Sequence, residues 1–136
     1  MAFTNSPLVS YTRISPHRAS RNGHVIDTIT IHCAAAQAAV ETLGRLFQTK
    51  QASANYGIGA DGRVGMYVEE KDRSWCTSNN ANDARAVTIE VACDNRHPYA
   101  VKDAVYKKLI TLVADICKRN GIAKLVWSTH EPQRRL

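Results

Sequence analysis

The sequence has 136 residues, enough for one domain with a hydrophobic core and too few for two ordinary domains. Hydrophobic residues make up 44% of the chain and charged residues 22%, which is typical of a folded globular protein rather than a disordered one. No apolar run approaches membrane-spanning length, and residues 1–10 lack the basic and apolar segments of a secretory signal. The formal net charge of +6 favours an anionic partner, such as a cell-wall polymer, a membrane surface or nucleic acid.

The first half of the chain predicts a strand, a helix and a hairpin. Residues 1–23 are rich in Ser, Pro, Arg and Asn and predict an extended arm. Alternating β-branched residues over 25–33 predict a strand, and because both of its faces carry apolar groups we expect it to be central in a sheet. Helical spacing of apolar residues predicts a helix over 40–49. Two short β-like runs, 53–59 and 64–68, flank an Asp-Gly turn and predict a hairpin.

The second half of the chain predicts a long loop, two strands and a long helix. Residues 69–82 have no period, which predicts an irregular loop, and such loops are often functional. A strand is predicted over 86–93, a helix over 101–120 and a short last strand over 122–127. This order predicts an α/β fold in which helices flank a mixed central β-sheet, in a single domain spanning residues 1–136.

The four cysteines show neither CxxC nor zinc-finger spacing; they are Cys33, Cys76, Cys93 and Cys117. Because no secretory signal is recognisable, we predict that all four are reduced thiols.

Three residues with useful chemistry occupy strand positions. His32 is near the end of the first strand, Tyr56 begins another, and Glu90 lies within an apolar strand, where a carboxylate without a partner is costly. Neighbouring strand ends can bring an imidazole, a phenol and a carboxylate together, and with zinc such a group suits hydrolysis. Taken one at a time, structural roles are the commoner explanation, because strand histidines and tyrosines beside glycine usually serve packing.

Six short segments together form a specific series. They are Ile29–Cys33 (ITIHC), Ala54–Gly59 (ANYGIG), Asp61–Arg63 (DGR), Glu69–Cys76 (EEKDRSWC), Asn82–Asp83 (ND) and Ala86–Val91 (AVTIEV). In this order they resemble the zinc-dependent N-acetylmuramoyl-L-alanine amidases of phage endolysins, the type 2 amidases related in fold to peptidoglycan recognition proteins. The resemblance runs from Ser6 to Trp127, nearly the whole chain.

The resemblance implies a role for each matched residue. His32 matches the first zinc ligand, Tyr56 the tyrosine that helps stabilise the transition state, and Glu90 the carboxylate beside the activated water. Four further side chains would line the groove for the muramyl peptide: Trp75, Asn79, Asn80 and Asn82. The implied reaction is hydrolysis of the amide between N-acetylmuramic acid and L-alanine, with Zn²⁺ as cofactor and bacterial peptidoglycan as substrate.

The sequence departs from this family at its C-terminal end. The family's other two zinc ligands, a histidine and then a cysteine or aspartate before Pro-Gly, follow the last strand, but this sequence ends at Leu136 without such a segment. His130 lies in the right region, in a context that does not match the motif. Three versions remain open: a missing tail completes the site; His130, Cys33 or a second copy supplies a replacement ligand; or zinc and activity have been lost. We favour the first.

Two other classes of function compete with the enzyme. The missing ligands favour a module that binds peptidoglycan without cutting it. The net charge permits a nucleic-acid-binding domain, but no basic stripe with interleaved aromatic residues is present, so we expect no nucleic-acid partner and no membrane insertion. We expect synthesis in the cytoplasm and action on the cell wall after release through a membrane lesion.

Overall fold

The computed structural model describes residues 2–127, which form seven strands and three helices. None of these helices has the length and apolar character needed to cross a membrane. The strands are β1 (Val9–Thr12), β2 (Arg18–Ser20), β3 (Thr28–Cys33), β4 (Tyr56–Ile58), β5 (Val64–Met66), β6 (Asp72–Ser74) and β7 (Ala86–Val91). The helices are α1 (Val40–Thr49), α2 (Asn80–Arg85) and α3 (Asp103–Arg119).

Five of the strands form one mixed sheet in the order β1-β5-β4-β7-β3. The β3–β7, β7–β4 and β1–β5 pairs are parallel, whereas β4 and β5 are antiparallel. Strands β2 and β6 form a separate antiparallel pair. Because helices α1 and α3 pack against the five-stranded sheet, the predicted fold of a mixed central sheet flanked by helices is confirmed.

Two buried clusters mark the two faces of this sheet. The cluster on what we call the α3 face includes Tyr56, Ile58, Ile89, Val105, Leu112 and Ile116. The cluster on what we call the α1 face consists of Leu43, Phe47, Ala54 and Tyr67. Successive strand residues point to opposite faces, so Gly57 belongs to the α1 face, where an added Cβ would lie 2.8 Å from the Leu43 side chain. The sheet therefore has a distinct chemical environment on each side.

The hairpin between β4 and β5 forms as predicted. Tyr56–Ile58 pairs antiparallel with Val64–Met66, and the Gly59 amide donates to the Arg63 carbonyl across the turn. Gly62 has a φ of 85°, a left-handed conformation that glycine adopts without a steric penalty. The predicted helix over 40–49 is confirmed at both ends by α1.

The strand that carries His32 lies at an edge of the sheet, so the predicted central position is wrong. Ile29 packs against the α3-face core, but Ile31 is 50% exposed. Within residues 2–127, apolar residues therefore occur along β3 although no strand pairs with its outer side. The sequence pattern reports which residues are hydrophobic and does not report how many neighbouring strands are present.

The predicted arm over 1–23 contains two strands, of which β1 pairs with β5 and β2 pairs with β6. Strand β1 is four residues long and β2 is three, so both are too short for alternation to indicate them in the sequence. The predicted loop over 69–82 similarly includes β6 and the first residues of α2.

The predicted last strand over 122–127 is wrong, because these residues form no strand. Ile122 packs against the α3-face core, whereas residues 123–127 are exposed. His130, named above as a possible replacement zinc ligand, lies outside the described residues.

The prediction of four reduced cysteines is wrong for two of them. Cys33 at the end of β3 forms a disulfide with Cys93, which follows β7. The two sulfurs meet because β3 and β7 are parallel neighbours whose ends lie side by side. Cys76 and Cys117 are free thiols, as predicted.

Candidate active site

His32 and Glu90 are brought together by the pairing of β3 with β7. The two residues are direct partners in the parallel register, and partners in such a pair project from the same face of the sheet. Glu90 is also the partner of Gly57 on the other side, which places both side chains on the α1 face. Each is partly exposed, so the pair lies where a substrate could approach it.

Cys76 reaches this pair from the loop between β6 and α2. The backbone amides of Cys76 and Thr77 both donate to the Asp83 carboxylate at 3.2 Å, and that carboxylate is buried. One residue earlier, the Trp75 amide donates to the Ser53 hydroxyl. Hydrogen bonds on both sides of Cys76 therefore fix its position relative to the sheet.

A polar network beneath the loop holds β6 against the sheet. The Ser74 and Thr88 hydroxyls lie 2.6 Å apart, and Thr88 also donates from its backbone amide to the Asn55 side chain. The Asn55 amide group in turn donates to three backbone carbonyls of the segment around β6, those of Val68, Glu69 and Asp72. These buried hydrogen bonds place the end of β6, and with it Cys76, over the middle of β7.

The resulting cluster contains one nitrogen, one sulfur and one oxygen ligand. Donor atoms of His32, Cys76 and Glu90 all lie within 4.8 Å of one another. The Cys76 Sγ lies 3.4 Å from the His32 Nδ1. All three side chains are half-buried.

The surroundings make the acidic groups of this cluster hard to ionise without a cation. Burial raises the pKa of the Glu90 carboxyl, against the opposing effect of His32 and Lys50. Burial, together with the carboxylates of Glu90 and Asp83, raises the pKa of the Cys76 thiol to about 12. A bound divalent cation would favour the charged forms of both groups.

Zinc, which the resemblance implies, fits this set of ligands. Zn²⁺ in proteins is bound by imidazole nitrogen, thiolate sulfur and carboxylate oxygen, and three protein ligands with one open position are typical of catalytic sites. The cluster offers one ligand of each type at contact range. The donor types that His32, Cys76 and Glu90 supply therefore fit a zinc ion and its bound water.

The structure does not bring Tyr56 to this cluster. Its side chain is fully buried in the α3-face core, and its register partner in β7 is Ile89, not Glu90. The hydroxyl donates to the Glu70 carboxylate and accepts from the Ser6 amide, so its hydrogen bonds are made on the far side of the sheet. The sequence-based role of Tyr56 in transition-state stabilisation has no geometric support, because the sheet separates it from His32 and Glu90.

The four predicted groove residues lie on or next to the loop that carries Cys76. Trp75 is 37% exposed, and its ring contacts His17 with centroids 5.0 Å apart. Asn79 caps α2 by accepting from the Asn82 amide, and Asn82 donates from its side chain to the Thr30 hydroxyl on β3. Asn80, the first residue of α2, is exposed.

A cavity of about 310 Å³ adjoins the loop and fits the predicted groove better than the other cavities do. It is lined by Gln51, Arg73, Trp75, Ser78, Asn80 and Asp83. A larger cavity of about 570 Å³ lies along the outer edge of β3 and includes one predicted groove residue, Asn82, whereas the smaller cavity includes two. Neither cavity is lined by His32, Cys76 or Glu90. The smaller cavity therefore lies beside Trp75, which directly precedes Cys76 in the chain.

Sequence reasoning missed Cys76 as a member of the site. The replacement ligands it considered included Cys33, but the disulfide to Cys93 removes that thiol. The available signal was position: Cys76 directly follows Trp75, a predicted groove residue, in the segment that matched the family. That signal was overlooked because a lone cysteine in a loop carries no ligand spacing.

Comparison with protein families and solved structures bears on the family and the fold of this chain. The model of the N-acetylmuramoyl-L-alanine amidase family (Amidase_2) matches residues 22–135. No curated protein sequence matches the chain.

Several solved structures share the fold at low sequence identity. A selenomethionine derivative of AmpD is 18% identical with a TM-score of 0.68, and the match covers 90% of this chain and 83% of that one. A mutant endolysin from Bacillus subtilis is 13% identical with a TM-score of 0.66, covering 83% and 77%. The amidase AmiD from E. coli, in complex with anhydro-N-acetylmuramic acid-L-Ala-D-γ-Glu-L-Lys, is 22% identical with a TM-score of 0.59, covering 77% and 48%.

Proposed function

The chain belongs to the N-acetylmuramoyl-L-alanine amidase family, and we propose that it hydrolyses the amide between the lactyl group of N-acetylmuramic acid and L-alanine in bacterial peptidoglycan. The observation that carries this proposal is the half-buried cluster of His32, Cys76 and Glu90 on one face of the sheet. The family match includes all three residues. The fold is shared with AmiD, whose structure contains a substrate with this type of bond.

In the proposed reaction His32 holds a zinc ion at the edge of the sheet. When bound, zinc would make a water molecule more acidic and polarise the carbonyl of the scissile amide. The imidazole is suited to this role because β3 fixes its backbone and the register with β7 places it beside the Glu90 carboxylate.

Glu90 acts as the general base and then as the general acid. Its carboxylate takes a proton from the attacking water, whose oxygen forms a bond to the amide carbon. The carbon–nitrogen bond then breaks, and the proton passes from Glu90 to the departing amine of L-alanine. The products are a lactyl carboxylate and a new peptide amino terminus. Burial raises the pKa of the Glu90 carboxyl, which makes its carboxylate a stronger base toward the water.

The loop from Trp75 to Asn80 binds the muramyl peptide in this proposal. The exposed Trp75 ring provides a flat apolar surface beside the cluster, and Asn80 provides exposed amide groups in the same cavity. Arg73 adds a positive charge that suits the carboxylates of a stem peptide. We further propose that the biological role is lysis of the bacterial cell wall, as in phage endolysins.

The proposal is tested by incubating the zinc-loaded protein with purified peptidoglycan and measuring new amino termini. Release is expected from the wild-type protein, and loss of release is expected for His32→Ala and after chelation of zinc. Co-sedimentation with peptidoglycan without release of amino termini would instead support a non-catalytic binding module.

A further inference from the structure

We infer that Cys76 is a metal ligand, so that the zinc site of this chain includes a thiolate from the loop between β6 and α2 together with His32. This inference rests on the proposed function, because it concerns the metal that the proposed reaction uses. The observations that carry it are the contact between the two donor atoms, the way the loop is fixed, and the position of the Glu90 carboxylate within 4.8 Å of both donor atoms.

The distance between the two donor atoms is that expected of two ligands on one zinc ion. Zn–S bonds of about 2.3 Å and Zn–N bonds of about 2.0–2.1 Å, at a tetrahedral angle, place sulfur and nitrogen about 3.6 Å apart. The Cys76 Sγ and His32 Nδ1 are 3.4 Å apart. An ion could therefore bind both atoms with little movement of either residue.

The loop holds Cys76 at this position independently of the contact with His32. Its own amide and that of Thr77 donate to the buried Asp83 carboxylate, and the Thr77 hydroxyl donates to the same carboxylate at 2.8 Å. Asp83 thus organises the loop through three hydrogen bonds from adjacent residues. A ligand held in place by a buried second residue is a common feature of metal sites.

Glu90 completes the group of possible metal-binding atoms. Its half-buried carboxylate, the Cys76 sulfur and an imidazole nitrogen of His32 all lie within 4.8 Å of one another. The direct register pairing of His32 with Glu90 places this carboxylate beside the position that an ion bound by His32 and Cys76 would take.

Cys117, the other free cysteine, provides a comparison with Cys76. Cys117 lies on α3 in an apolar groove with Leu109, Val113 and Ile122. It belongs to none of the described groups that could bind a metal. Cys117 is therefore a matched control: a second half-buried thiol in the same protein that lies outside the metal-binding group found among the described residues.

The test is titration of the metal-free protein with Co²⁺, because a thiolate ligand produces a charge-transfer absorption band with cobalt. We expect one cobalt ion per chain with this band in the wild-type protein and in Cys117→Ser. In Cys76→Ser we expect no band and a fall in zinc affinity at least as large as the roughly 10–100-fold that loss of a residue supporting a ligand costs. A band that persists in Cys76→Ser, or cobalt binding to the wild-type protein without a band, would overturn the inference.

A second measurement needs no variant and so does not depend on how well one folds. In the wild-type protein, bound zinc should protect Cys76 from alkylation and leave the reactivity of Cys117 unchanged. Equal alkylation of Cys76 with and without zinc would contradict the inference.

The outcomes for the ligand and for the proposed function can be told apart. A thiolate band without release of amino termini would disprove the proposed function and leave Cys76 as a ligand. Zinc-dependent release of amino termini, together with unchanged zinc affinity in Cys76→Ser, would support the proposed function and disprove Cys76 as a ligand.

Discussion

His32 and Glu90 face each other across two parallel strands as direct register partners. The backbone of the sheet, rather than a flexible loop, therefore fixes the separation of the imidazole from the carboxylate. A metal-binding group on one strand and a base on the next are consequently held at a constant spacing, which is what proton transfer from a water molecule requires.

Glu90→Gln should lower turnover on peptidoglycan by about 10²–10⁴-fold, because the amide cannot accept a proton from water. Zinc content should stay the same, since in our assignment Glu90 acts on the water and does not hold the ion. Glu69→Gln is the matched control, because Glu69 is a partly buried carboxylate that interacts with Asn5 and not with the cluster. Release of amino termini and zinc by elemental analysis provide the two measurements. Loss of zinc in Glu90→Gln would identify Glu90 as a ligand.

Tyr56→Phe should destabilise the protein and leave zinc binding unchanged. The variant removes the hydroxyl that donates to Glu70 and accepts from the Ser6 amide, and it leaves both partners buried. Loss of such a buried hydroxyl costs about 1–3 kcal/mol in the free energy of unfolding. Tyr67→Phe is the control, because Tyr67 is equally buried and donates to the Val40 carbonyl on the other face.

Urea unfolding and turnover at a temperature where the variants are folded separate the two roles of Tyr56. A large fall in turnover for Tyr56→Phe, with stability unchanged, would restore the catalytic role that the sequence suggested.

Tyr56 shows that the sequence predicts the residues of a strand but not the register in which that strand pairs. The residues of β3, β7 and α1 could be predicted because alternation and helical spacing are local properties of the chain. Whether Tyr56 or its neighbour points toward Glu90 depends on the register between β4 and β7. A shift of one residue in such a register exchanges the two faces of a strand.

Cys76 could not be placed for a different reason. It is 44 residues from His32 in sequence, in a loop without periodicity. Its position depends on the hydrogen bonds of Asp83 and on the network of Asn55 and Thr88, which form only when the sheet is complete. The disulfide likewise depends on the alignment of the β3 and β7 ends and not on any spacing of cysteines.

Reduction of the Cys33–Cys93 disulfide should lower the free energy of unfolding by about 4 kcal/mol, the amount expected from the chain entropy of a loop of this size. The bond closes a loop with a sequence separation of 60 residues, and the exposure of Cys33 gives a reductant access to it. Urea unfolding with and without dithiothreitol measures the difference.

The double variant Cys33→Ala/Cys93→Ala should match the reduced protein and should not respond to dithiothreitol. Cys117→Ser should behave like the wild-type protein under both conditions. Equal stability of the oxidised and reduced wild-type protein would show that the disulfide does not stabilise the fold.

Arg119 joins the C-terminal end of α3 to a buried carboxylate, and Arg119→Met should destabilise the protein by about 3–5 kcal/mol. Its guanidinium lies 2.6 Å from the Glu70 carboxylate, which is fully buried, and also donates to the Thr4 carbonyl. Removing the arginine leaves the Glu70 charge without its cation, which accounts for most of the expected loss.

The adjacent Lys118→Met is the control, because Lys118 is exposed and should change stability by less than about 0.5 kcal/mol. The double variant Glu70→Met/Arg119→Met should lose less stability than the two single variants together, since it removes both partners of this ion pair at once. Additive losses in urea unfolding would show that Glu70 and Arg119 do not act as a pair. In that case, the hydrogen bonds of Glu70 with Tyr56 and Asn120 would be sufficient to hold its carboxylate.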